Sequence, residues 1–465
     1  MHVNKKCLIP AGIISLAWLP VIFASRYYMD DLGRSVRGYY DWSPNGRPFA
    51  EAIFRVITFN NGMFDISPLY QILAFLIMGM SCLLLIKALR LQFTTNNLII
   101  SSLLFLMPFY LENISYRYDS LTMALSCLLS LYSYHLARNK SGYLWMALSL
   151  LIGVLYLSTY QTFISVFVIV SLLSVVKSDD LLDAVKREIK PAISFVLSYL
   201  IYSRFIAPLF ITGQYNITHS QVEFDATLFK QNFIGAFDYL TGIIGCYEML
   251  ILSINIAFVI FLLSKNFNQK DKIKSIFNLV IVAFVAFIPV MIYLPLKHPV
   301  FFPRVFVGFG CVIAACALVL NAEKYTLSRY VVLANLALAF ILSLAYNRAS
   351  DSMNLNDQLL VNEIQQKTSP NDTIIVFGSQ SRDAITQRLA ISFPVINIMT
   401  PLYLNNENWW GKLLLNKYNI NNRFLTSKPE RARSLLEACS ISGGDYGVFK
   451  ADGVVYVMLE GAKCN

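Results

Sequence analysis

The chain has 465 residues, 56% of them hydrophobic and only 14% charged, where an ordinary soluble domain carries about 25% charged residues. With a mean hydropathy of +0.54 it cannot coat itself in polar side chains, which excludes a water-soluble enzyme and a disordered chain. The formal charge of +10 would suit nucleic acid, but in a membrane protein basic residues first set orientation, so no nucleic-acid partner is expected. The expected fold class is a polytopic α-helical membrane protein.

At about 20 apolar residues per spanning helix, eleven segments are candidates: 8–25, 69–87, 97–111, 119–137, 143–159, 162–176, 192–211, 243–263, 277–294, 303–320 and 330–346. The polar run Ser158-Thr159-Tyr160-Gln161 divides the long apolar stretch 143–176. Lys5 and Lys6 ahead of the first segment imitate a secretory signal. Phe23-Ala24-Ser25 is a poor cleavage site, so this segment is read as a retained helix. With the N-terminus inside, cytoplasmic segments hold sixteen basic residues against nine in the opposite loops, which follows the positive-inside rule.

The first external loop, 26–68, has Arg26, Arg34, Arg37, Arg47 and Arg55 as its only basic residues, balanced by Asp30, Asp31, Asp41, Glu51 and Asp65. An all-arginine set points to structured pairing or to anion binding, because the guanidinium fork matches carboxylate and phosphate oxygens. Asp30-Asp31-Leu-Gly-Arg34 opens an expected helix, Leu32–Tyr40. One aspartate can cap it and the other can act as a general base, or both can serve salt bridges to Arg34 and Arg37. Gly46-Arg-Pro-Phe onward to Ile57 reads as an interfacial helix, with Pro48 in its first turn, an i,i+4 pair Glu51–Arg55, and an apolar face of Phe49, Ile53 and Val56 or Ile57.

The next external turn, Glu112-Asn-Ile-Ser-Tyr-Arg-Tyr-Asp119, carries two carboxylates and Arg117. Asp119 either caps the following span or faces a site. Asn113-Ile-Ser and Asn216-Ile-Thr match the N-glycosylation pattern, which is frequent by chance. Arg204 is the most interior charge of the sequence and should face protein or an anion, or snorkel outward. Lys297, His298 and Arg304 in the outer turn 295–304 suit either a lipid phosphate or simple interfacial anchoring. Two domains are expected: 1–346 in the membrane, including the 26–68 loop, and a small extracytoplasmic α/β domain, 347–465. In the latter, strands are expected at 373–377 and 453–457, and helices at 351–366, 382–391, 408–418 and 429–438. Its two cysteines, Cys439 and Cys464, either form a disulfide or remain thiols. The four histidines show no metal-ligand spacing, and there is no phosphate-binding loop or nucleophile elbow.

Tyr28-Met-Asp-Asp-Leu-Gly-Arg34, Gly38, Trp42, Gly46-Arg-Pro48, Glu112 to Asp119, Tyr160-Gln161 and Pro303-Arg304 together resemble the O-antigen glucosyltransferases of serotype conversion, within the polytopic GT-C class. The resemblance is good over the first third of the chain and looser beyond. It implies a bacterial inner-membrane glycosyltransferase with undecaprenyl-phosphate-glucose as donor and lipid-linked O-antigen as acceptor, working at the periplasmic face among membrane lipids. It implies Asp31, or Asp30, as the base, and Glu112 and Asp119 as contacts to sugar hydroxyls. Arg117, Lys297 and Arg304 would stabilise the departing lipid phosphate. Arg34, Arg37, Arg47, Tyr160, Gln161, Arg204 and His298 complete the expected substrate-binding set. No cofactor is required by that chemistry, although a divalent metal would be compatible with the class. The rival readings are a lipid-linked sugar transporter and an O-antigen polymerase.

Overall fold

The computed structural model describes residues 5–177, 180–267, 271–405, 410–425, 428–462 and 464. The chain is mostly helical. Among the described residues, five helices are long and apolar enough to cross a membrane: Lys5–Phe23, Leu69–Ala88, Leu182–Phe210, Cys246–Asn266 and Leu327–Lys367. Shorter apolar helices occupy Thr95–Phe105, Tyr143–Leu157, Gln161–Val176 and Pro303–Val319. The break between Tyr143–Leu157 and Gln161–Val176 falls at Ser158–Tyr160, where the polar run interrupts the apolar sequence.

The chain forms two compact units. The first comprises Met1–Ile22 and Tyr40–Leu344, and the second Phe23–Tyr39 and Ala345–Asn465. The first external loop is thus shared: its start packs with the C-terminal residues and the rest with the apolar helices.

In the first unit, helix Asp119–Asn139 carries Ser126, Ser130 and Ser133 through an apolar interior. Ser126 Oγ donates to the Tyr160 carbonyl and Ser130 Oγ to that of Phe163. Ser133 and Ser149 exchange bonds with each other's carbonyls, and Ser149 also meets Ser194. A buried hydroxyl bonded in this way avoids its desolvation penalty, so these serines tie helices together. Backbones also approach closely through glycine. A Cβ on Gly310, in helix Gly308–Val319, would lie 2.3 Å from the Leu104 carbonyl oxygen.

The expected segment 97–111 is not one helix. Pro108 cannot donate a helical hydrogen bond, and the chain runs Thr95–Ser101, a 3-10 turn to Phe105, then a separate helix Tyr110–Ser115. Every residue from Ser101 to Tyr116 is buried. Nor is 330–346 a span followed by a separate helix. Leu327–Lys367 is continuous over 41 residues, because Asn347-Arg-Ala-Ser350 contains neither proline nor glycine to stop it.

The second unit contains a sheet of strands β1 (Thr373–Phe377), β2 (Arg423–Phe424), β3 (Gly447–Ala451) and β4 (Val454–Met458) in the order β2-β1-β4-β3. β1 is parallel to β2 and β4, and β3–β4 is an antiparallel hairpin. Alternation along β1 sends Ile374 and Val376 to one face, with Val361, Ile364 and Leu413, and Ile375 and Phe377 to the other, with Ala438 and Tyr456. Helices form at Ala384–Ser392, Trp410–Lys417 and Lys428–Ser442. Of the expected helix 408–418, Asn408 and Trp409 lie outside the described residues.

Cys439 and Cys464 are joined in a disulfide across 25 residues of sequence. Closing a loop of that length contributes on the order of 3 kcal/mol. Cys439→Ser is therefore expected to lower the unfolding temperature of this unit, and reductant should lower that of the parent protein but not of the variant, as followed by limited proteolysis on heating.

Candidate active site

Each unit presents its own group of the residues singled out above. In the second, helix Asp30–Arg37 begins directly at Asp30, with Met29 in the cap position. Both aspartates therefore sit in the first turn, where the helix dipole favours negative charge, rather than one of them at the cap. The helix is also shorter than the expected Leu32–Tyr40, because Gly38 turns left-handed at φ 66°. Arg34 lies 3.9 Å from Asp30 and 3.9 Å from Asp31. The carboxylates differ in setting: the Asp30 side chain is 45% exposed and Asp31 fully enclosed. A Cβ on Gly33 would lie 2.3 Å from the Tyr39 hydroxyl, so a larger residue there would have to displace the Tyr39 ring. Arg37 ends the helix and is exposed.

In the first unit, Gly46-Arg47-Pro48 is the hinge of the site. Gly46 has φ +74°, and a Cβ would meet the Tyr202 hydroxyl at 2.8 Å. Its carbonyl accepts from that hydroxyl at 2.8 Å and from Gln161 Nε2 at 3.0 Å. Pro48 then starts helix Pro48–Ile57. Glu51 reaches back to accept from the Trp42 and Ser43 amides and pairs with Arg55 at 2.8 Å. Burial pushes the Glu51 carboxyl up, but the Ser43 and Arg55 hydrogen bonds outweigh it and hold the group below its ordinary value. The inward face of this helix is Ala50, Glu51 and Phe54, with Phe54 stacked on Trp42 at 4.4 Å. Of the expected apolar face, Phe49 and Ile53 are half-buried and Val56 is exposed, while Ile57 packs against the buried cluster of Trp42, Phe54 and Tyr70.

Trp42 donates its indole N–H to Asp119 at 2.5 Å. Arg47 stands 3.8 Å from the same carboxylate and 4.6 Å from the centre of the Tyr160 ring, while its Nε is buried without a hydrogen-bond partner. Asp119 occupies the first turn of its helix. Beside this group, fully buried Glu112 accepts from the Arg304 backbone amide at 2.8 Å and from its guanidinium at 2.6 Å. Arg304 also donates to the Tyr116 hydroxyl. Tyr160 is within electrostatic reach of Arg304, Arg47 and Glu112, so these side chains form one cluster. The Tyr239 hydroxyl, in reach of Glu112 and Arg304, is buried and unpartnered. Buried donors without acceptors are uncommon in folded proteins, and two beside one cluster mark a place that a ligand oxygen can complete.

Not every expected residue joins. Arg117 pairs with Asp65 at 3.1 Å. Lys297 is half-exposed and 3.6 Å from Glu223, and the His298 carbonyl oxygen contacts His219 Nδ1 at 2.6 Å, in a separate polar turn. Arg204 is exposed on a π-helical turn, Tyr202–Ile206, rather than facing protein. Asn113 is fully buried, which rules out its glycosylation in the folded chain. The roles of Tyr116 and Tyr202 carried no local signal. Among the described residues no group of three or more His, Cys, Asp or Glu is placed to hold a metal ion.

Residues 19–315 match the family model described as Glucosyl transferase GtrII. The match runs from ahead of the Asp30-Asp31 pair to just beyond Arg304, and the chain belongs to this family of glucosyltransferases. It is therefore a glycosyltransferase enzyme built on membrane-spanning helices. It is also 28% identical over 443 residues to an uncharacterized 55.3 kDa protein encoded in the gtrB 5' region of Salmonella phage P22, covering 87% of this chain and 88% of that protein.

Proposed function

We propose that the protein transfers glucose from undecaprenyl-phosphate-glucose to a sugar hydroxyl of lipid-linked O-antigen. Family membership supports glucosyl transfer, and the cluster of Asp119, Arg47, Glu112 and Arg304, with its two unsatisfied donors, is the observation that carries the binding of an oxygen-rich ligand. In this reading Asp31, with Asp30 as alternative, takes the proton from the acceptor hydroxyl. That oxygen bonds to the anomeric carbon as the bond from carbon to phosphate oxygen breaks, and undecaprenyl phosphate departs with the electron pair. The enclosure of Asp31 favours it over Asp30, because a transferase must keep water from competing as acceptor. Glu112 and Asp119 hold sugar hydroxyls, and Arg47 and Arg304 supply positive charge for the phosphate, where negative charge develops; Arg117 and Lys297, engaged by Asp65 and Glu223, are left out of that role. The chemistry is complete without a metal.

The same reading places eleven spans in a bacterial inner membrane, the N-terminus in the cytoplasm and the C-terminal residues in the periplasm. The positive-inside bias supports it, as does the Cys439–Cys464 disulfide, a bond that persists in oxidising compartments. The test is structural analysis of O-antigen from cells with and without the protein, together with transfer from purified undecaprenyl-phosphate-glucose by protein in liposomes. One added glucosyl branch per repeat is the expected result. An unmodified polysaccharide, with the donor left intact by folded protein, would refute it.

A further inference from the structure

Within the second unit, the segment just before Asp30-Asp31 is held by residues more than 300 positions away. Arg26 donates through Nε to Asp357 Oδ2 at 2.6 Å and through a terminal nitrogen to Oδ1 at 3.2 Å. Another terminal nitrogen reaches the Pro401 carbonyl at 2.7 Å, and the guanidinium lies 4.2 Å from the Tyr403 ring centre. Both members of the ion pair are buried, and Gln380 donates a further bond to Asp357 at 2.8 Å. The Tyr403 hydroxyl donates to the Tyr27 carbonyl at 2.6 Å and accepts the Met29 amide at 3.0 Å. Met29 has φ 43° and ψ −119°, a conformation suited to glycine and costing other residues on the order of 1–3 kcal/mol. It is the second residue of a turn closed by Asp31 N–H to the Tyr28 carbonyl at 3.1 Å. One residue further on, Leu32 is buried in the same core as Tyr403, Leu413 and Leu414.

We propose that Arg26, Asp357 and Tyr403 form a clamp that holds the strained turn at Met29 and so fixes the direction of the Asp30 and Asp31 carboxylates. They are positioning residues, and they make the C-terminal unit part of the machinery of transfer. The proposal rests on the carboxylate-base reading above. Asp357 and Tyr403 lie outside the 19–315 stretch that defines the family match, so nothing in that match assigns them a role.

Tyr403→Phe keeps the ring against Arg26 and the core packing while deleting the hydroxyl. In full-length protein in liposomes, kcat is expected to fall about 10–100-fold, the scale set by small misplacements of a reacting group. KM for the lipid-linked donor should stay within about twofold and the melting temperature close to that of the parent. Adding Met29→Gly to Tyr403→Phe should restore most of kcat, since glycine holds the turn without the hydroxyl. A Tyr403→Phe enzyme with parental kcat overturns the clamp, as does a loss of activity that merely follows lost folded protein and is not rescued by Met29→Gly. Asp30→Asn and Asp31→Asn run in parallel separate the two ideas. If both keep full transfer, the base reading fails. If one abolishes transfer while Tyr403→Phe is fully active, only the clamp fails.

Discussion

Asp31→Asn is expected to lower glucosyl transfer by about 10²–10⁴-fold, the usual contribution of a positioned general base, in a protein that still folds. Asparagine is nearly isosteric with aspartate, and Arg34 retains Asp30 at 3.9 Å as a charged partner. The buried guanidinium is therefore not left alone, and the structural cost should be small beside the chemical one. Asp30→Asn removes the more exposed carboxylate and is expected to have the smaller effect. The comparison is made on kcat for transfer from undecaprenyl-phosphate-glucose, with melting temperatures measured on the same preparations. A reversed order of the two defects would move the base to Asp30.

Arg304→Ala should be the most destabilising single change in the cluster of the first unit. It leaves Glu112 fully buried without its guanidinium partner, and stranding one member of a buried pair costs about 3–5 kcal/mol. Glu112→Gln in the same chain should recover a large part of that loss, because a neutral amide tolerates burial better than an unpaired carboxylate. Transfer should stay low in the double variant, which lacks both the carboxylate proposed to bind sugar hydroxyls and the cation proposed to face the phosphate. Unfolding of the four proteins in detergent gives the coupling energy. Additive losses of stability would show that the two side chains act independently, against the 2.6 Å bond between them.

Local chemistry made much of the fold legible. Apolar runs gave the helical segments, Ser158–Tyr160 gave a break, and the alternating residues of 373–377 gave a strand. What failed had physical causes. Pro108 broke an apparent span, and no residue between 346 and 351 could end a helix. Strand β3 had a signal that periodicity alone passed over: Asp452-Gly453, at φ 46° and 74°, is a hairpin turn dipeptide. For the site, the charges of the first loop pointed to structured pairing, and Arg34 and Arg55 do pair within the loop, but two other partners lay elsewhere in the chain. Arg26 pairs with Asp357 and Arg47 with Asp119. Asp357 was detectable in principle, as an acid on the same helical stripe as Met353, Val361 and Ile364. A charge at a core position demands a buried partner, but helical spacing cannot say which.

The discontinuous second unit, built from Phe23–Tyr39 together with Ala345–Asn465, has a consequence for recombination. A C-terminal segment exchanged with a relative through one crossover would arrive without the seventeen residues that grew up against it, leaving Arg26 and Tyr27 to meet a foreign surface. Functional hybrids therefore need three crossovers, one on each side of the Asp30-Asp31 helix and one ahead of the C-terminal segment. Natural exchange of this unit within such a family would have to carry both pieces together.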